Sequence, residues 1–375
     1  MIDMKIPLSE PDISPAEIEA VVEVLRSSRL SLGPKLEEFE QSIASYTGAP
    51  YAIGVSSGTA GLHLCMLAFG IRPGDEVIVP SFSFVAAANA IRYAEANPVF
   101  VDIDPVTLNM DPNLTEAAIT NKTKAILAVH TFGYPADMDA LLDIARRHGL
   151  LLIEDACEAM GAEFRGEKVG ALGDAGIFAF YPNKQVTTGE GGMIVTRHSG
   201  VAKKMRALRN QGRYETDDWF QHSELGFNYR LSEMHCALGI GQMRRIESIL
   251  TAREAVAGLY HELLDNCTDV ALPPTHSPQG RISWFVYVVR LHERFSEAQR
   301  SSVFKHFAAA EISCGRYFAP IHMQPGYAAW RHSSFLPVTE SVSERTLALP
   351  FFNKLTRTDV QRVCAVLREA CVLCQ

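Results

Sequence analysis

The sequence predicts an α/β fold, a mostly parallel central sheet flanked by helices, with a smaller C-terminal α+β domain. Two observations carry this. From residue 51, short β-rich apolar runs (YAIGV, DEVIVP, PVFVDID, KAILAVH, GLLLIED) alternate with longer helical patterns (TAGLHLCMLAFG, AAANAIRYAEA, DMDALLDIARRHG). Strands at this spacing need crossover helices, which make neighbouring strands parallel and cover both faces. After about residue 245 the rhythm changes. The expected domains are therefore 1–245, including an N-terminal helix, and 246–375.

Taken in order, SPAEIEAVVEVLRSS opens with helix signals: Ser14 as N-cap, Pro15 at the first helical position and Glu17 closing a capping box. Ile18, Val21, Val22 and Leu25 follow at helical spacing and form the expected inner face. The alternating segment comes next. Within it FAFYPNKQVTTGEGGMIVT reads as two strands, Phe178 to Tyr181 and Met193 to Thr196, around a Gly-rich turn (Gly189, Glu190, Gly191, Gly192). MRRIESILTAREAVAGLYHELLD reads as one long helix. SWFVYVVRL is a strand, SSVFKHFAAA a helix and RTDVQRVCAVLREACVLC a closing helix.

Composition excludes several function classes. The chain has 375 residues, a formal net charge of −8 and no basic run, which argues against nucleic acid as a partner. No stretch reaches the apolar length of a membrane helix, and the N-terminus has no signal-peptide pattern, so a cytoplasmic location is expected. The eight cysteines are scattered. The one CxxC, Cys371 and Cys374, has no second pair for zinc and reads as the apolar side of the last helix. No metal site is expected.

In such sheets, ligands sit beyond the carboxyl ends of the strands. That rule selects Ser56 to Thr59, Ser81 to Phe84, His130 and Asp155. SSGTAGLHL is a strand-to-helix turn in which Ser57, Gly58 and Thr59 form either an ordinary N-cap or an anion cradle. LLLIEDACEAMGA ends in two adjacent carboxylates, and strand alternation sends one toward the site and the other away. Of Phe82 and Phe84, either could be core or a stacking platform. Lys184, at a strand end among apolar runs, suits a lysine kept partly from water and nucleophilic. Such lysines form Schiff bases, including with pyridoxal phosphate, a cofactor that also needs a carboxylate for its ring nitrogen and an anion cradle for its phosphate. Asp155, the Gly58 turn and Lys184 supply these three parts. The rival motif is GVSSG, a G-x-S-x-G elbow that would make Ser56 a hydrolase nucleophile with Asp155 and His322. Only one strand precedes it, and it leaves Lys184 without a role.

With these residues assembled, the chain resembles the DegT/DnrJ/EryC1/StrS sugar aminotransferases, pyridoxal-phosphate enzymes of fold type I and perosamine-synthase-like in character. The resemblance runs through LSLGPKLEEFE, SSGTAGLHL, PSFSFVAAANAI, HTFGYPADM, EDACEAMGA, FYPNKQ, GFNYRLSEMHCALGIGQM and RYFAPIHMQPGY. It implies Lys184 as Schiff-base lysine and proton shuttle, Asp155 against the pyridinium nitrogen, Ser57, Gly58 and Thr59 on the phosphate, and Phe84 stacked on the ring. It implies that Asn228 reaches the phosphate of a neighbouring subunit, hence a homodimer with shared sites, and that Arg230 serves the interface or substrate. Arg316, Tyr317 and His322 become candidates for holding substrate. Two departures stand out: Ala179 where many relatives have a phosphate-binding serine, and Glu158 where many have glutamine near the ring's phenolic oxygen. The implied reaction is ping-pong transamination. L-glutamate leaves as 2-oxoglutarate, the cofactor passes through pyridoxamine phosphate, and a nucleotide-linked keto sugar takes the amine. A 4-keto-6-deoxyhexose for surface polysaccharide, such as lipopolysaccharide, is the first expectation; a 3-keto sugar or keto-cyclitol would use the same residues.

Overall fold

A computed structural model describes residues 5–333 and 335–374. Helix α1 (Pro15–Arg26) has the expected cap: Ser14 Oγ accepts the Glu17 N–H, and Glu17 accepts the Ser14 N–H. Its buried face is not the expected one. Glu17 and Val24 are buried while Ile18 and Leu25 are more than half exposed. The reason is electrostatic: Arg245 binds both Glu17 and Asp12, and that network turns the helix.

Next come α2 (Pro34–Thr47), β1 (Tyr51–Val55), α3 (Gly58–Ala68), β2 (Glu76–Pro80), α4 (Ala86–Tyr93), β3 (Asn97–Val101), α5 (Pro112–Ala117), β4 (Thr123–Val129), α6 (Met138–His148) and β5 (Leu151–Asp155). A two-stranded ribbon, β6 (Glu163–Phe164) and β7 (Glu167–Lys168), leads to β8 (Ala175–Ala179) and β9 (Gly192–Thr196). The lysine-bearing loop joins β8 to β9, and both strands lie within a few residues of their expected places. The main sheet has the order β1-β9-β8-β5-β4-β2-β3. Every pair among β3, β2, β4, β5 and β8 is parallel, and β9 runs against both its neighbours. The carboxyl ends of six strands thus share one edge.

Alternation sorts the strand side chains onto two cores. Ala52, Ile78, Ile126, Leu152, Phe178 and Met193 face a cluster with α2, α6 and α8 (Glu233–Arg244). Ile53, Val77, Ala125, Ile153, Ile177 and Ile194 face α3, α4 and α7 (Ser199–Arg209).

The long helix expected from residue 243 forms, starting three residues later. Helix α8 stops at Arg244, and α9 runs Ile246–Leu264. Arg245 between them leaves helical geometry (φ −123°), the same residue that Asp12 and Glu17 hold. A second sheet of β10 (Val270–Ala271), β11 (Tyr287–Leu291) and β12 (Thr346–Leu349) is antiparallel. It packs with α9, α10 (Glu297–Ala309) and α12 (Arg357–Leu373); Cys371 is buried in that core, with Cys374 against it. Two segments cross between the cores. Ile6 pairs with Ile312, and residues 321–336 place Ile321, Tyr327 and Leu336 on the α4 side of the main sheet before α11 (Pro337–Ser343). Among the described residues no helix is long and apolar enough to cross a membrane.

Candidate active site

The shared carboxyl edge collects the site. Ser57 caps α3, its Oγ accepting the Ala60 N–H at 3.1 Å. The next N–H groups, of Gly58 and Thr59, point off the helix end without helical acceptors. Gly58 is required by close approach: a Cβ there would stand 2.8 Å from the Ala179 Cβ and 2.9 Å from Cys157 Sγ. A Cβ on Gly192 would likewise stand 2.7 Å from the Ser57 carbonyl carbon. The second glycine therefore lets β9 run beneath the turn, and Val55, Gly192 and Ala179 lie in register across three strands.

The two carboxylates ending β5 separate as strand alternation demands. Glu154 is fully buried, accepts N–H groups from Gly170, Leu172 and Gly173, and meets His130 Nε2 at 3.0 Å. His130, expected at the ligand edge, is thus an interior partner; its Nδ1 accepts the Ala136 N–H. Asp155 shares the α3 face with Ile153, remains 8% exposed, and accepts the Cys157 N–H at 3.1 Å.

Lys184 sits on the loop between β8 and β9, with its N–H bonded to the Tyr181 carbonyl. Its side chain is 13% exposed; Nζ lies 3.6 Å from Glu158 Oε1 and 3.8 Å above the Phe285 ring centre. Burial raises the Glu158 carboxyl above its ordinary range, an effect that the Lys184 charge and the Phe132 N–H oppose. Tyr317 closes the far side: its hydroxyl accepts from Asn183 Nδ2 at 3.3 Å, and its ring meets those of Phe132 and Phe285. Burial and the Glu158 charge push its phenol upward.

The remaining predicted residues divide. Phe84 is 61% exposed at the same edge, while Phe82 is core. Asn228 and Arg230 flank Tyr229, whose carbonyl accepts the Ser56 N–H; Asn228 is exposed, and Arg230 reaches Asn210 Oδ1. Two substrate candidates are engaged elsewhere. Arg316 lies over Phe304 and bonds Ser301, with Glu297 at 3.6 Å. His322 is 1% exposed with both ring nitrogens occupied, Nδ1 by Ser81 Oγ at 2.7 Å and Nε2 by Glu340 at 3.2 Å. It is an interior clasp between β2 and the 321–340 segment, since no ring nitrogen is left to meet a substrate. The same clasp removes it from Ser56, so the hydrolase arrangement does not form.

Sequence reasoning missed Phe285 and Arg253. Phe285 lies unmarked inside an apolar run. Arg253 carried a legible signal: it falls on the inner stripe of α9 with Ile249, Val256 and Tyr260, where a cation needs a reason.

The donor set fits pyridoxal phosphate. A largely buried amine, a carboxylate with acceptor capacity to spare and a helix start opened by glycine converge on one edge.

Comparison with known proteins agrees. The model of the DegT/DnrJ/EryC1/StrS aminotransferase family matches residues 11–368. A GDP-perosamine synthase from Caulobacter vibrioides is 42% identical over 374 residues, covering 98% of this chain and 99% of the relative. The X-ray structure of DesV from S. venezuelae superposes with a TM-score of 0.90 at 36% identity, covering 98% of both chains. A Streptococcus pneumoniae protein, solved in PLP and PMP forms, superposes at 0.93 with 27% identity, covering 99% of this chain and at least 98% of its own. The chain belongs to the DegT/DnrJ/EryC1/StrS aminotransferase family and is a pyridoxal-phosphate-dependent aminotransferase.

Proposed function

We propose that the protein transfers an amino group from L-glutamate to a nucleotide-linked keto sugar, a 4-keto-6-deoxyhexose, in the making of a surface polysaccharide such as lipopolysaccharide. The observation that carries the chemistry is the convergence of Lys184, Asp155 and the Gly58 turn on one sheet edge. The sugar assignment draws on the 42% identity to a GDP-perosamine synthase.

When bound, pyridoxal phosphate supplies a carbonyl for the lysine and an electron sink for the carbon that exchanges its proton. The chain's own residues divide the remaining work. Ser57, Gly58 and Thr59 hold the phosphate by main-chain N–H groups and hydroxyls at the start of α3. Asp155, which accepts the Cys157 N–H, would keep a proton on the ring nitrogen. Phe84, exposed at the same edge, would offer the ring a stacking face. Lys184 Nζ would hold the cofactor's carbonyl carbon and would be the group that moves the proton, with Glu158 Oε1 3.6 Å from it. Tyr317 lines the substrate side.

The reading includes a homodimer. Asn228 is exposed on a segment whose backbone pairs with residues 208–211, and Trp219, Phe220 and Leu225 nearby are 72%, 89% and 90% exposed. Apolar side chains so exposed on one segment are suited to a partner subunit, and Asn228 would then meet the neighbouring phosphate. A cytoplasmic location follows from a nucleotide-sugar substrate.

The test is the visible absorption spectrum of the protein with pyridoxal phosphate, before and after L-glutamate, beside Lys184→Ala. A yellow band that glutamate bleaches, and that the variant does not form, is the expected result. GDP- and TDP-linked 4-keto sugars should then restore the band. A band that glutamate never bleaches overturns the donor assignment, and restoration by a 3-keto sugar or keto-cyclitol alone overturns the substrate assignment.

A further inference from the structure

Arg253 is an unusual buried cation. It is 4% exposed, and no carboxylate lies within ion-pair distance among the described residues. Burial depresses its basicity to about 10, which Asp12 partly offsets at longer range. A guanidinium so placed is costly unless its donors are spent. They are spent on the lysine centre: Nε donates to the Trp284 carbonyl at 2.8 Å, one terminal nitrogen to the carbonyls of Phe285 at 2.9 Å and Asn183 at 3.4 Å, and the other to Asn353 Oδ1 at 3.0 Å. Asn183 immediately precedes Lys184, and Phe285 is the ring beneath Lys184 Nζ. One side chain on α9 therefore ties the lysine loop of the main sheet to the strand entry of the second.

Neighbouring bonds fix the same stretch. The Ser283 N–H donates to the Gly133 carbonyl, its hydroxyl to the Met160 carbonyl, and Gln185, next to the lysine on its other side, donates to the Ser283 carbonyl at 3.1 Å. Phe285 itself is 1% exposed. Its ring face carries the negative side of the aromatic quadrupole, which attracts a nitrogen bearing positive charge and gives it a direction.

We propose that Phe285, held in place by Arg253, is the positioning residue of the lysine centre: its ring fixes the direction from which Lys184 Nζ meets the cofactor carbonyl. This rests on the functional reading above.

The test compares wild type, Phe285→Leu, Phe285→Tyr and Arg253→Lys. The first variant keeps an apolar side chain but removes the ring face; the second restores it. The third keeps the charge but loses the fork that spans three carbonyls. Two quantities are read. One is the rate at which pyridoxal phosphate becomes reducibly attached to Lys184, followed by borohydride quenching and peptide mass spectrometry across pH 6–9. The other is equilibrium binding of pyridoxamine phosphate, which needs no bond to the lysine. Phe285→Leu and Arg253→Lys are expected to slow attachment about tenfold or more, with pyridoxamine phosphate binding within about twofold of wild type, and Phe285→Tyr to recover most of the rate. Attachment by Phe285→Leu at the wild-type rate overturns the inference. So does a parallel loss of both quantities, which would mean that the ring only fills space. Should Arg253→Lys fail to fold, the two Phe285 variants carry the test alone. A wild-type protein that never attaches pyridoxal phosphate overturns the functional reading instead.

Discussion

Glu154 and Asp155 are consecutive residues on one strand, both buried, yet they belong to different regions. Glu154 lies on the α6 side with every acceptor in use: three N–H groups of the 170–173 loop and the His130 ring. Asp155 lies on the α3 side with one backbone donor, the Cys157 N–H, and the Cys157 thiol, Lys184 and Glu158 close by. Burial alone does not separate them. Unspent hydrogen-bonding capacity does: a saturated carboxylate holds the fold, and one left with free lone pairs in a buried site is kept for a ligand.

The sharpest way to break this comparison is to substitute the two neighbours in turn. Glu154→Gln should destabilise the protein by about 3–5 kcal/mol, because buried N–H donors would face an amide that cannot accept from all of them. Urea unfolding of the cofactor-free protein measures this. Asp155→Asn should leave stability within ~1 kcal/mol but reduce turnover on the order of a hundredfold to a thousandfold, by losing the charge proposed to pair with the ring nitrogen. Equal phenotypes would end the distinction.

Next in size is Ser81→Ala. It removes the acceptor of the His322 N–H and the partner of His322 Nδ1 in an interior clasp. A loss of about 1–3 kcal/mol in urea unfolding is expected, with the catalytic effect secondary. If substrate binding fell while stability did not change, His322 would belong to the site after all.

Glu158 gives a smaller effect that depends on pH. Its carboxyl is raised in the folded protein, mainly by burial, from an ordinary value of 4.5. The folded state therefore binds the proton more tightly than the unfolded chain. Stability from this group is present below the ordinary value and lost as pH rises through the raised one. Relative to wild type, cofactor-free Glu158→Gln should gain a few degrees in Tm (~2–5 °C) between pH 4.5 and 7. A difference that does not change with pH would mean that Lys184 fully compensates the charge. The smallest expected change is Ala179→Ser. Its hydroxyl would stand beside the Gly58 turn, where the Ala179 Cβ already is, and should tighten pyridoxamine phosphate binding by roughly twofold to fivefold.

Much of this was legible in the residues. The cap on α1, the strand and helix alternation, and the placing of Lys184, Asp155 and Gly58 on one edge all follow from local chemistry and from the rule for parallel sheets. What was misread shares one cause. Ile18 and Leu25 had the right spacing for an inner face, but Arg245 drew Glu17 inward in their place. The same arginine separates α8 from α9, so the expected long helix begins three residues later than its pattern suggested. His130 and His322 looked like site residues because they end strands or lie in a resembling motif. Their roles were set by Glu154 and Ser81, 24 and 241 residues away.

By itself the sequence determined the periodicities, the caps and the glycines that permit close approach, because each depends on groups a few residues apart. Only the tertiary structure decided which carboxylate of an adjacent pair is spent and which remains free, which histidine is a clasp, and which ring lies under the lysine. Those outcomes depend on where long-range partners satisfy buried polar groups, and a linear pattern does not carry that pairing.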